Sequence, residues 1–239
     1  MLPRLILRPL KIILLIFLKR IFFLGFAAST SLAVLFLGHS ALAQPLNDMA
    51  LNIPFEQTYR NIDPQPKTDK QRIEVLDFFW YRCPFCYQFL PTFLDWSAHQ
   101  SKDVVVRHIP AIMQKSWIPD AHLYYTLETL GEVNRLHQVV FDSVNLDHLV
   151  TNDPQAVTAW AVAHGIEEKK WMSVFDSDVV RGKVSQAILL MGQYDIHGTP
   201  SLVVDGRYQT NAALANGVDQ LPAVLNHLVS KVRATLPLP

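Results

Sequence analysis

An α/β fold interrupted by a helical insertion is the class this sequence predicts, from three observations. Residues 73–80 form an almost unbroken apolar and aromatic run, as in a central strand covered on both faces. The strand-like residues 104–109 are followed by about 80 residues whose apolar side chains keep helical spacing. After that stretch, the apolar residues 201–204, the turn pair Asp205-Gly206 and the residues Arg207-Tyr208-Gln209 read as a hairpin. Half of the 239 residues are hydrophobic, enough for one or two cores and too many for a disordered polymer. No period of repeats is present, and the 9 Gly and 15 Pro are scattered, which excludes a solenoid or collagen. The 21 basic and 21 acidic side chains balance, which argues against wholesale nucleic-acid binding.

The first element is a leader. Residues 1–43 carry Arg4, Arg8, Lys11, Lys19 and Arg20, no acidic residue, two apolar runs at 12–18 and 21–37, and the small residues Ala41 and Ala43 two apart. That is the pattern of a secretory signal, with cleavage expected before Gln44. Removal leaves 196 residues with 16 basic and 21 acidic side chains, a formal charge of −5. The alternative is an uncleaved anchor, since the 17 residues 21–37 lie near the lower limit for crossing ~30 Å of hydrocarbon. Both readings export the globular part, and expect a periplasmic location.

The strand at 73–80 leads into the two cysteines of the chain, in Cys83-Pro84-Phe85-Cys86. A bridge across so short a loop removes little unfolded-state entropy, so a structural staple is a poor explanation. From 85 to 98 the residues Phe85, Phe89, Leu90, Phe93, Leu94 and Trp96 recur at helical spacing, and Pro84 suits the first helical position. Cys83 therefore falls at the N-cap, where unpaired amide N–H groups and the helix dipole favour a thiolate. Cys86, one turn deeper, is expected to be the less accessible, resolving thiol. Two other readings are an inert buried thiol pair and half of a zinc site, although no second cysteine pair or His-x-x-x-His supplies the remaining ligands.

Within the helical stretch, Leu123, Leu127 and Leu130, then Val133, Leu136, Val140 and Phe141, mark apolar faces broken at Gly131, at Asn152-Asp153-Pro154 and at His164-Gly165. Asp153 and Pro154 suit the cap and first position of a helix carrying Val157, Trp160 and Ala161. A last helix is expected from about 218 to 234. Pro200 opens the strand at 201–204; it sits where an X-Pro bond can be cis and where neighbouring backbone can pair with an incoming peptide, the alternative being an ordinary trans proline.

The combination of Val75-Leu76-Asp77-Phe78-Phe79, Cys83-Pro84-Phe85-Cys86-Tyr87-Gln88-Phe89, and Gly198-Thr199-Pro200 with Val204-Asp205-Gly206-Arg207-Tyr208 resembles the DsbA family of periplasmic thiol-disulfide oxidoreductases. The resemblance covers essentially the whole mature chain. It implies a thioredoxin fold with an inserted all-helical domain, divided as 44–112, 113–188 and 189–239. It also implies a cis Thr199-Pro200 bond facing a redox-active Cys83-Cys86 disulfide, with the Asp77 carboxylate beneath the cysteines assisting proton transfer. Such a protein donates its disulfide to reduced, unfolded exported proteins without metal or organic cofactor, and is reoxidised by a DsbB-like, quinone-linked inner-membrane protein. The absence of a dimerisation segment favours a monomer. A disulfide reductase or isomerase, and a Cu(I) chaperone using both cysteines as soft ligands, are the rival readings.

Three residues depart from the family pattern. Phe85 stands where the best-known members have His, which removes a charge that would favour the Cys83 thiolate, so a thiol less acidic than ~3.5 and a disulfide less oxidising than ~ −120 mV are expected. Asp77 replaces a common Glu, so its shorter reach either needs a bridging water to Cys86 or leaves a core carboxylate satisfied by local hydrogen bonds. Thr199, where Val is frequent, brings a hydroxyl near the thiolate. Four further histidines, His108, His137, His148 and His164, read as surface or satisfied core residues. His197 either faces the cysteines, where its cation would favour the thiolate, or lies in a solvent-exposed loop. Phe78, Phe79 and Trp80 read as core, and Trp117 as helical packing or the border of a client groove.

Overall fold

The computed structural model of the chain describes residues 54–63 and 72–236. The leader at 1–43 and the cleavage point before Gln44 lie outside the described residues. Among the described residues, five strands form one sheet: β1 Arg60–Asn61, β2 Ile73–Phe79, β3 Val104–Pro110, β4 Ser201–Val204 and β5 Tyr208–Asn211, in the order β1-β5-β4-β2-β3. β2 pairs in parallel with β3 and antiparallel with β4, so both its edges are covered, and every residue except Glu74 is buried. This is why the 73–80 segment is apolar except at Glu74 and Asp77 instead of alternating.

Side chains on β2 and β4 divide between two cores by the period of two that a strand imposes. Ile73, Val75, Leu202 and Val204 pack with helix α1 (Pro84–Ala98) and helix α7 (Leu221–Arg233), through Phe93, Leu225 and Leu228. Leu76, Phe78 and Val203 join the second core, which runs without a break into the insertion. Each large side chain buried this way contributes roughly 1.5–3 kcal/mol of hydrophobic stabilisation. β4 and β5 are joined as expected: Asp205 and Gly206 take φ values of 52° and 61°, and Arg207 N–H donates to Val204 O at 3.0 Å. The positive φ at both positions explains the Asp-Gly pair.

The insertion comprises α2 Ile118–Leu130, α3 Val133–Asn145, α4 Pro154–Ala163, α5 Glu168–Phe175 and α6 Asp178–Gln193. Its breaks are those the sequence marks. Gly131 ends α2 at φ 76°, and the Asp153 carboxylate caps α4 by accepting from Gln155 N–H at 2.9 Å and Ala156 N–H at 3.3 Å. Helix α6 crosses the expected division at 188/189, because Ala187 and Met191 continue one buried face and no breaker intervenes. The final helix begins after a single 3-10 turn at Val218–Gln220, with Pro222 in its first turn. Among the described residues, no helix is long and apolar enough to cross a membrane.

Candidate active site

Cys83 is placed by the end of a strand and the start of a helix. β2 stops at Phe79, a tight turn brings Cys83 N–H to Trp80 O at 3.0 Å, and Cys83 becomes the extended N-cap of α1 with Pro84 in the first turn. Cys86 N–H donates to Cys83 Sγ at 3.3 Å, as a capping side chain requires. Both residues carry free thiols and are buried, 5% exposed at Cys83 and 3% at Cys86, so surface exposure hardly separates them.

Acidity separates them. The Cys83 thiol is lowered to about 6, chiefly by a hydrogen bond from the Cys86 thiol, against an opposing contribution from burial, and then by the Thr199 side chain and the N–H groups of Cys86 and Phe85. The Cys86 thiol is pushed well above its ordinary value, first by burial, then by the hydrogen bond and charge at Cys83, with the Asp77 carboxylate adding to the rise. One sulfur is therefore built to be a thiolate and the other a thiol.

The second loop meets the first. Thr199-Pro200 is cis, and the Thr199 carbonyl accepts from the Cys83 thiol at 3.3 Å. The Thr199 side chain is among the groups that lower the Cys83 pKa. Phe85, 58% exposed, stands between the cysteines as an apolar face open to solvent.

The turn that carries the cysteines is anchored to the insertion. Trp80 stacks on Trp117 with centroids 3.7 Å apart, so Trp117 packs the loop where helical packing and a groove border were both open. Trp80 Nε1–H donates to Asp120 Oδ2 at 2.7 Å, Thr151 Oγ1 donates to Asp120 Oδ1, and Arg82 reaches the same carboxylate at 3.4 Å. Asp120 is buried, and its pKa is raised by that burial against the hydrogen bonds and the guanidinium.

Asp77 lies buried in β2 on the face toward α1, and His108 Nδ1 meets its Oδ2 at 2.8 Å. The partner is set by register, because Asp77 is directly opposite His108 in the parallel β2–β3 pair. His137, fully enclosed on α3, stands with its ring 4.6 Å from that of His108 and its Nδ1 3.1 Å from the Tyr81 hydroxyl. Sequence analysis reads both as surface or satisfied core histidines and does not link them to Asp77. Reading the chain one strand at a time gives no register, and register is what brings His108 to Asp77.

Of the two readings of His197, the structure has the exposed loop. Its imidazole is 81% exposed, and Nε2 is bound to Asp195 Oδ1 at 2.6 Å, with Arg60 on the other carboxylate oxygen at 3.2 Å. The left-handed turn at Asp195, φ 52°, aims that carboxylate at the imidazole, so His197 faces Asp195 instead of the cysteines. Among the described residues, no cluster of three or more His, Cys, Asp or Glu side chains is placed to hold a metal ion.

The family model described as a DSBA-like thioredoxin domain matches residues 74–229. A thiol:disulfide interchange protein DsbA from Burkholderia cepacia is 32% identical over 171 residues, covering 71% of this chain and 81% of that protein. The protein of that name from Bordetella pertussis is 38% identical over 160 residues, covering 66% and 76%. Among solved structures, Pseudomonas aeruginosa DsbA aligns with a TM-score of 0.71 at 28% identity, covering 75% of this chain and 94% of that one. The oxidoreductase DsbA from Xylella fastidiosa aligns with a TM-score of 0.69 at 27% identity, covering 74% and 96%.

Proposed function

From the premise that the chain belongs to the DSBA-like thioredoxin domain family and is a thiol:disulfide oxidoreductase, we propose that Cys83 and Cys86 are its redox-active pair and that it donates their disulfide to exported proteins in the periplasm. The observation that carries this is the unequal pair of thiols at the N-terminus of α1, against the cis Thr199-Pro200 loop.

A client thiolate attacks Cys83 Sγ of the oxidised protein, the Cys83–Cys86 bond breaks, and the electron pair leaves on Cys86, which takes a proton. A second client thiolate then attacks the client sulfur of the mixed disulfide and releases Cys83 as a thiolate. Two client thiols become one disulfide, and the protein disulfide becomes a dithiol. The low pKa of Cys83 makes it the better leaving group in this second step, so the balance favours client oxidation. Phe85 and the Thr199-Pro200 loop flank the attacked sulfur and form the contact surface for the client chain. Asp77, beneath Cys86, is the group that exchanges its proton.

The basic and apolar segment at 1–43 supports export through a signal cleaved before Gln44. Turnover then calls for a membrane oxidant of the DsbB type, linked to quinone. Equilibration of the Cys83-Cys86 pair against glutathione buffers, with Cys86→Ser as the control, tests the direction of electron flow. A potential well above the glutathione poise, between it and ~ −120 mV, is the expected result. A value near thioredoxin's ~ −270 mV would replace the oxidase by a reductase. A thiol-dependent, near one-to-one Cu(I) complex without exchange activity would replace both by a metal chaperone.

A further inference from the structure

One group of buried titratable side chains lies near the cysteine pair. Asp77 on β2, His108 on β3 and His137 on α3 line up beneath α1, with Tyr81 closing the row two residues before Cys83. We infer that His108 is a positioning residue for thiol exchange: its Nδ1–H, 2.8 Å from Asp77 Oδ2, fixes that carboxylate beneath Cys86 so that Oδ1 is left to take and return the Cys86 proton. The inference rests on the reading of Cys83 and Cys86 as the redox pair, and it assigns the proton path within that reading.

Three observations carry it. Burial is the first, because a polar side chain in this core is costly without a partner, and His108 supplies one to Asp77 Oδ2. Geometry is the second. His108 is held on every side: by Asp77 across the parallel pair, by the Phe93 ring from α1 edge-on at 5.7 Å, by Phe79 at 6.2 Å, and by His137 from α3. Only 14% of its side chain reaches solvent, so its ring has one orientation in which Nδ1 meets the carboxylate. The third is His137, whose Nδ1 contacts the Tyr81 hydroxyl and whose buried Nε2 has no hydrogen-bond partner. Burial first, and the neighbouring His108 second, keep His137 uncharged, so it packs against His108 without competing for Asp77. Tyr124 from α2, ring to ring with His137 at 5.6 Å, is the remaining titratable side chain on that side, and burial keeps it protonated.

The step balances. When Cys86 resolves a mixed disulfide at Cys83, its proton passes through a bridging water to Asp77 Oδ1, its sulfur bonds to Cys83 Sγ, and the partner leaves as a thiolate. In the donating direction the same proton returns to the Cys86 sulfur as the Cys83–Cys86 bond breaks.

The test is the rate at which Cys86 resolves a Cys83–glutathione mixed disulfide, measured from pH 5 to pH 8 in the wild type, His108→Leu and His108→Gln. Leucine keeps apolar packing and loses the donor; glutamine keeps an N–H donor. His108→Leu should resolve at least tenfold more slowly at pH 7, His108→Gln should recover to within about threefold of wild type, and the Cys83 pKa should stay at about 6 in both. A role in packing alone predicts the opposite order, with leucine the better substitute, and that order, or wild-type rates in both variants, would overturn the inference. If either variant does not fold, the ring ¹⁵N shifts of His108 in the wild type decide. Nδ1 must carry a proton across this pH range, and an unprotonated Nδ1 excludes the contact as described. Wild-type protein that exchanges no disulfide with glutathione would remove the redox-pair reading itself, whereas exchange with unchanged variants removes only the role of His108.

Discussion

Phe85 lies between the two cysteines in the chain and brings no charge to either, so the Cys83 thiolate is held by hydrogen bonds and the helix end. Phe85→His would add a cation beside Cys83 when protonated, lower its pKa below about 6, and raise the potential by about 30 mV for each unit removed, as read by thiolate absorbance and glutathione equilibration. An unchanged or higher Cys83 pKa in that variant would mean the side chain points away from the sulfur. The same unequal thiols fix the pH dependence of the wild-type potential. Below about pH 6 reduction takes up two protons and the potential falls by about 60 mV per pH unit; above it, Cys83 stays ionised, one proton is taken up, and the slope halves to about 30 mV. A single slope through pH 6 would contradict the assigned acidity. At this scale the sequence was legible where chemistry is local. The cap position of Cys83 follows from helical spacing and Pro84, but the partners of Asp77 depend on strand register, which no stretch of residues carries by itself.

The elements meet the site through one buried carboxylate. Asp120, in the first turn of α2, accepts from Trp80 and Thr151 and faces Arg82, so it ties the turn before Cys83 to the insertion and to the loop ahead of α4. Asp120→Ala would leave the Trp80 indole N–H and the Thr151 hydroxyl without that acceptor, and a loss of about 3 kcal/mol in urea unfolding is expected, together with a change in the Cys83 pKa. A cost below 1 kcal/mol would show that solvent takes over the carboxylate's role. Asp153→Ala, at the cap of α4 and away from the cysteines, should cost about 1 kcal/mol and leave the Cys83 pKa where it is. The α4 cap was readable from Asn-Asp-Pro, because a cap is a short-range device. The Asp120 lock was not, because its donors are 31 and 40 residues away in the chain.

On the scale of the whole molecule, the insertion and the sheet share a core in which Leu76, Phe78 and Phe79 of β2 are continuous with Leu123, Leu136, Phe141 and Trp171 of the helices. The cysteines belong to that core, so their redox state and the stability of the entire domain are linked. Cys83 in the folded, reduced protein has a pKa of about 6, well below that of an unfolded thiol near 8.5, so its thiolate favours the folded state. The sign follows from proton uptake. The contribution is complete above the unfolded pKa and is lost as the pH falls through about 6, because protons then bind the folded thiolate. The raised pKa of Cys86 works in the other direction only above about pH 8.5, where an unfolded thiol would ionise and the buried one cannot. Urea unfolding of reduced and oxidised protein at pH 5 and at pH 8 should therefore show the reduced form gaining on the oxidised form at the higher pH. Helical circular dichroism and tryptophan fluorescence should report one coincident transition for the shared core. A gain at pH 5 instead would mean that Cys83 is protonated in the folded protein at neutral pH, and the disulfide would then lack the driving force that client oxidation requires.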